Sequence, residues 1–148
     1  MTKTILIPID FNPESLNTLK LALKENSISE VDIILMYSEY LTDSITELLF
    51  YSADRIIQSH ITPDFEETIS ILKNRYETGI KSIKIELFHG YNINSFKNFI
   101  KAKQIDTIYI PKKYTLKLKK NGFNPIPFIK KSGVPVQEIE WDSNFFNS

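Results

Sequence analysis

The feature that most constrains this chain is a regular alternation of short apolar runs with longer amphipathic ones. Thr4–Ile9 (TILIPI), Val31–Tyr37 (VDIILMY), Ser82–Phe88 (SIKIELF), Asp106–Ile110 (DTIYI) and Val134–Trp141 (VPVQEIEW) have the length and the Ile and Val content of strands. Helical segments separate them. Asn12-Pro13-Glu14 reads as N-cap, N1 proline and first-turn acid, with Leu16, Leu19 and Leu23 following on one face. Loss of the Asn12 cap is expected to cost about 1 kcal/mol. Thr62-Pro63-Asp64 repeats the signal ahead of Phe65, Ile69, Leu72 and Tyr76, and Gly79 reads as the stop of that helix. Asn92 or Asn94 opens a third helix carrying Ile93, Phe96 and Ile100. Asn124-Pro125 starts a short last one, whose first turn tolerates Pro127. In Leu41–His60, Ile45, Leu48, Leu49 and Ile56 suggest a helix with poorly marked ends. Strands alternating with helices predict an α/β fold of three layers: a five-stranded, mostly parallel sheet covered on both faces by helices joined through right-handed crossovers. In such sheets ligands bind beyond the carboxyl ends of the strands, where Asp10, Tyr37, Gly90 and Pro111 fall.

The length of 148 residues fits one domain over 1–141, followed by a tail at 142–148. That tail is polar apart from Phe145 and Phe146, which either pack on the body or mark a partner surface. With 42% hydrophobic and 24% charged residues, disorder is excluded and a soluble globular protein expected. The absence of cysteine removes disulfides, thiol catalysis and Cys-ligated metals, and fits a reducing compartment. No apolar run approaches the length of a membrane span, and the N-terminus lacks a signal-peptide pattern, so a cytoplasmic location without membrane contact is expected. Eighteen basic residues balance eighteen acidic ones, but unevenly. Residues 1–90 carry net −6, residues 91–131 net +9 and residues 132–148 net −3. Lys112, Lys113, Lys117, Lys119 and Lys120 hold much of the positive charge, either as a solvated surface or as a site for a phosphate or an acidic partner.

Several chemistries lack their residues. The two histidines, His60 and His89, have no second ligand at metal-binding spacing, and His89 before a turn glycine reads as a strand-end residue rather than a base. No nucleophile elbow, Walker A loop or dinucleotide fingerprint occurs. A phospho-receiver would need more acids than Asp10 at the end of the first strand. Most aromatic residues fall at core positions, so nucleic acid is not an expected partner. No cofactor, metal or catalytic residue is nominated, and the chain reads as a non-enzyme.

Five pieces, in order and at suitable distances, resemble the universal stress protein family over nearly the whole chain. They are Ile5-Leu6-Ile7-Pro8-Ile9-Asp10-Phe11-Asn12 as the opening strand, and Ser15-Leu16 with Leu19, Ala22 and Leu23 as the first helix. His89-Gly90 looks like the turn after the third strand, Asp106–Ile110 like the fourth strand, and Val134-Pro135-Val136 like the last. ATP-binding members of that family carry Gly-x2-Gly-x9-Gly-Ser/Thr after the fourth strand, where glycine lets backbone N–H groups approach the phosphates. Here Pro111 and Tyr114 stand at the first two glycine positions, Gly122 aligns with the third in a loop about two residues short, and Phe123 replaces the hydroxyl residue. Proline has no N–H to donate and tyrosine adds bulk. The resemblance is therefore to the subgroup lacking the motif, with a degenerate nucleotide site, and ATP in the family mode is not expected.

The resemblance implies that Asp10 matches an aspartate that recognises adenine and that Tyr37 lies near the ribose; capping or solvation at a strand end is the alternative for Asp10. The candidate ligand residues are Pro8, Asp10, Tyr37, Ile110, Pro111, Lys112, Lys113 and Gly122, the lysines standing in for the lost N–H groups. The family's last strand often pairs across a two-fold axis, implying a homodimer with Val136, Ile139 and Trp141 at its edge. A negative charge at Ile139 is then expected to give monomers. The implied function is that of a non-catalytic stress-response protein acting through dimerisation and an unknown protein partner. The alternative is a sensor binding an adenine nucleotide or another small anion at the carboxyl ends of the strands.

Overall fold

In the computed structural model, which describes residues 2–26, 29–41, 48–90 and 92–141, all five apolar runs form strands. These are β1 (Lys3–Pro8), β2 (Val31–Ser38), β3 (Ile80–Phe88), β4 (Thr107–Pro111) and β5 (Val136–Ile139). The sheet is parallel throughout, in the order β3-β2-β1-β4-β5. Its first half winds outward from β1 to β3 and its second half from β4 to β5, so the direction reverses between β1 and β4. That reversal opens a crevice at their carboxyl ends.

A 3-10 turn (Pro13–Leu16) leads into α1 (Asn17–Glu25); α2 (Ala53–His60) and α3 (Pro63–Arg75) lie between β2 and β3. Then α4 (Ile93–Ala102) joins β3 to β4, and α5 (Ile126–Lys130) precedes β5. Side-chain alternation divides the interior in two. Ile5, Ile7, Ile33 and Leu35 pack on one face with Leu19 and Leu23 of α1, Ile57 of α2, and Phe65 and Leu72 of α3. Leu6, Ile34, Met36, Ile108 and Ile110 pack on the other with Phe96 and Ile100 of α4 and Ile129 of α5. Three layers result, as the alternation predicted. The interior strand β2 is buried along almost its whole length, whereas β3 and β5 form the edges.

The helix starts divide into those that follow the local signal and those that do not. Thr62 accepts from Phe65 N at 3.2 Å, and Asn92 forms a reciprocal capping box with Ser95, which selects it over Asn94. Asn12 occupies the N-cap position, but its side chain makes no capping bond. Its own N–H donates instead to Asp10 Oδ1 at 3.0 Å, and Ser15 Oγ donates to its carbonyl at 2.9 Å. The expected capping role at Asn12 is thus corrected. Gly79 is likewise not a left-handed stop: α3 ends at Arg75, with Tyr76 as C-cap. In Leu41–His60, among the described residues, Ala53–His60 is a helix capped by Ser52, and Leu48 and Leu49 are also helical but exposed. Ile45 and the tail with Phe145 and Phe146 lie outside the described residues. Among the described residues no helix is long and apolar enough to cross a membrane.

Candidate functional site

Parallel strands bring Pro8, Asp10, Tyr37, Ile110 and Pro111 to one end of the sheet. Both Pro8 and Tyr37 are buried, and Asp10 is 0% exposed. A buried carboxylate must be hydrogen-bonded or lose several kcal/mol. Asp10 is bonded, and every partner is this chain's own. Oδ1 accepts from Asn12 N at 3.0 Å; Oδ2 accepts from Lys117 N at 2.8 Å and from the Tyr114 hydroxyl. Burial pushes the Tyr114 phenol far above its ordinary value, and its bond to Asp10 adds to the shift, so it stays a donor. Next to Asp10, Phe11 has φ 64° and is 1% exposed, a left-handed conformation that costs a non-glycine residue about 1–2 kcal/mol. Contacts of the Phe11 ring with Tyr37, His60 and Phe65, at 5.1–5.3 Å between centroids, hold it there.

The segment that follows β4 is therefore laid over the crevice. Leu116 anchors it as a buried apolar residue. Further on, Lys119 N donates to the Tyr37 hydroxyl at 3.1 Å, and burial raises the Tyr37 phenol. Gly122 forms an antiparallel bridge with Glu39, fixed by Tyr40 N to Asn121 O at 2.8 Å and Phe123 N to Ser38 O at 3.0 Å. A Cβ on Gly122 would sit 2.5 Å from the Tyr37 hydroxyl, so glycine is needed here for close approach to a side chain of the protein itself. Phe123 is buried against Phe88, Tyr40 and Phe128.

The candidate residues are thus split. Asp10 and Tyr37 lie under the segment, bonded to it, with Gly122 packed on Tyr37. Ile110, Pro111 and Lys112 line a small cleft of about 180 Å³ on its far side, with Tyr114 and Leu116. Lys113 turns to the edge and pairs with Glu140 at 2.8 Å; Lys117 reaches Glu14 at 3.4 Å. At the β5 edge, Val136 is half-buried and Ile139 lies in the core. The half-buried Trp141 packs against Tyr114, with ring centroids 4.5 Å apart and the planes tilted by 31°, and donates from Nε1 to Thr18 Oγ1 at 3.1 Å.

A second opening, unforeseen in the sequence, lies over the ends of β2 and β3. It has a volume of about 360 Å³ and is lined by Glu39, Tyr40, Tyr51, Arg55, His60 and Lys120, among others. His89 stands in its wall. Nδ1 donates to the Glu39 carbonyl at 2.9 Å, and Nε2 shares a hydrogen bond with the Tyr51 hydroxyl at 2.6 Å. Burial, then the charge of Glu39, raises the Tyr51 phenol. His89 is therefore a strand-end strut. Nothing local could have marked Glu39: it stands beyond an apolar strand and meets His60 only through the fold.

This strand order and the winding reversal define a three-layer α/β fold, which solved universal stress proteins share. Known structures carry the likeness further. A universal stress protein in complex with cAMP superposes with TM-score 0.57 and 14% identity, over 95% of this chain and 98% of that one. A universal stress family protein from Burkholderia pseudomallei gives 0.54 and 10%, over 93% and 95%. One from Archaeoglobus fulgidus gives 0.52 and 15%, over 95% and 93%. At these identities the likeness fixes the fold alone. No protein-family model matches the chain, and no curated protein matches it.

Proposed function

We propose that this chain is a non-catalytic stress-response protein of the universal stress type, cytoplasmic, which acts through dimerisation and a protein partner rather than by turning over a nucleotide. One observation carries the reading: the Asp10 carboxylate, which in the resembling family faces adenine, is sealed from solvent and bonded to Tyr114 and Lys117 of its own chain. A nucleotide in the family mode would have to displace Tyr114, Leu116 and Lys117 and leave buried donors without acceptors. The subgroup without the glycine motif fits this arrangement, because Tyr114 at a former glycine position supplies the hydroxyl that occupies Asp10.

Thermal unfolding with ATP, ADP, AMP and cyclic nucleotides tests it. A ligand at 100 times its dissociation constant adds about 2.7 kcal/mol, or roughly 5–10 °C at this size. No shift is expected at millimolar nucleotide; a shift of that order overturns the reading. Dimerisation is tested separately by light scattering at micromolar concentration. Ile139 is a poor place for a charge, since it lies in the core and Ile139→Asp would unfold the edge itself. The exposed Gln137 is better: Gln137→Asp puts a new carboxylate on the edge strand outside the core, and across a two-fold axis it repels its own copy. A dimer that falls to monomer in that variant is expected; a wild-type monomer refutes the edge.

A further inference from the structure

The open cleft over β2 and β3 carries an unmet demand at its floor. Glu39 is 7% exposed, yet its Oε1 has no hydrogen-bond partner. The group facing it is His60 Nε2 at 3.5 Å, which is also buried and without a hydrogen bond. His60 is itself held by ring contacts with Phe11 and Tyr37, at 5.1 and 5.3 Å, and cannot simply swing away. Buried polar atoms left unbonded are uncommon because each costs about 1–3 kcal/mol. Where one lines a cavity, a donor from outside relieves it.

The rest of the lining has the opposite sign. Arg55 and Lys120 are exposed on the same cleft, and neither makes an ion pair among the described residues. Tyr40 and Tyr51 supply aromatic walls. The volume lies near the lower end of the roughly 300–1,000 Å³ typical of small-molecule sites. A simple anion entering here would meet the Glu39 carboxylate, and a simple cation would meet Arg55 and Lys120. A small molecule carrying both charges satisfies each end. An ammonium offers three donors to a carboxylate, and an acid group fits the fork of an arginine.

We infer that this cleft binds a small zwitterion, a free α-amino acid or short peptide, with its ammonium on Glu39 and its carboxylate on Arg55 and Lys120. The aromatic walls take the ligand's side chain. This inference is independent of the partner-binding reading.

The test is calorimetric and thermal titration of the full chain with the common free amino acids and with Ala-Ala, each singly. Butylamine and butyrate serve as half-ligands, and D-enantiomers as controls for general solvent effects. Saturable binding of at least one L-amino acid or the dipeptide is expected, with neither half-ligand matching it. Glu39→Gln and Arg55→Gln should each weaken that binding by about tenfold or more. Their ligand-free unfolding midpoints, near the wild-type value, establish that both variants fold. The inference is overturned if no amino acid or dipeptide binds, if butylamine alone binds as well, or if affinity is unchanged in either variant.

Discussion

Two carboxylates at the same end of the sheet have opposite circumstances. Asp10, at the end of β1, is sealed and accepts from Asn12, Tyr114 and Lys117. Glu39, just beyond β2, is nearly as buried but has an oxygen without a hydrogen bond. The first is placed by the chain for its own stability; the second faces a cavity. The contrast teaches that position at a strand's carboxyl end does not by itself make a ligand residue. What matters is whether the fold has already used the side chain's bonding capacity.

That contrast predicts unequal costs. Asp10→Ala, which strips the acceptor from three donors, should destabilise by about 3 kcal/mol in urea unfolding; a cost below about 1 kcal/mol would mean that solvent readily replaces the carboxylate. Next comes Gly122→Ala. Its new methyl group would press on the Tyr37 hydroxyl, and a loss of about 1–3 kcal/mol is expected. Adding Tyr37→Phe should recover part of it in a double-mutant cycle, and purely additive losses would disprove the contact.

Tyr114→Phe should cost about 1 kcal/mol and also change the response to alkali. The folded-state phenol is raised above the unfolded value near 10. Its contribution is fully present below that value and is lost as pH rises beyond it, because the unfolded chain releases its proton first. Stability of the wild type should thus fall above about pH 10, and the variant's fall should be shallower by about one proton. Tyr37 and Tyr51 contribute in the same direction in both proteins, so the difference isolates Tyr114. The smallest effects belong to Glu39→Gln and Asn12→Ala. The first should stay within about 1 kcal/mol of wild type in either direction, since it relieves an unsatisfied charge. The second should fall within about 0.5 kcal/mol, since no side-chain cap is lost. Urea midpoints for the pair give a direct check.

What was legible from the sequence was what depends on neighbours in the chain. Strands announced by Ile-rich runs appear within two residues at most of their ends, and the caps at Thr62 and Asn92 follow from residues three apart. The Asn12 cap failed because Asp10 and Ser15 satisfy that turn first. The residues at the carboxyl ends could be nominated from strand ends and from the resemblance. Their bonding could not, because the 112–123 segment has no periodicity and its partners lie far away in sequence. The same holds for Glu39 and His60, which only the packing of α2 against the end of β2 brings to 3.5 Å.

The bonds from Asp10 to Tyr114 and Lys117 span 104 and 107 positions, and that from Tyr37 to Lys119 spans 82. Bonds this remote form only once β1, β2 and β4 have paired, because that pairing brings the residues together. The segment makes one isolated backbone bridge, Glu39 with Gly122, and is otherwise held by its bonds to the Asp10 and Tyr37 side chains rather than by a ladder. It is therefore a unit that can detach while the five strands stay paired. In hydrogen exchange the amides of Lys117, Lys119 and Gly122 should open at a lower free energy than those of β2, so that the crevice opens without global unfolding.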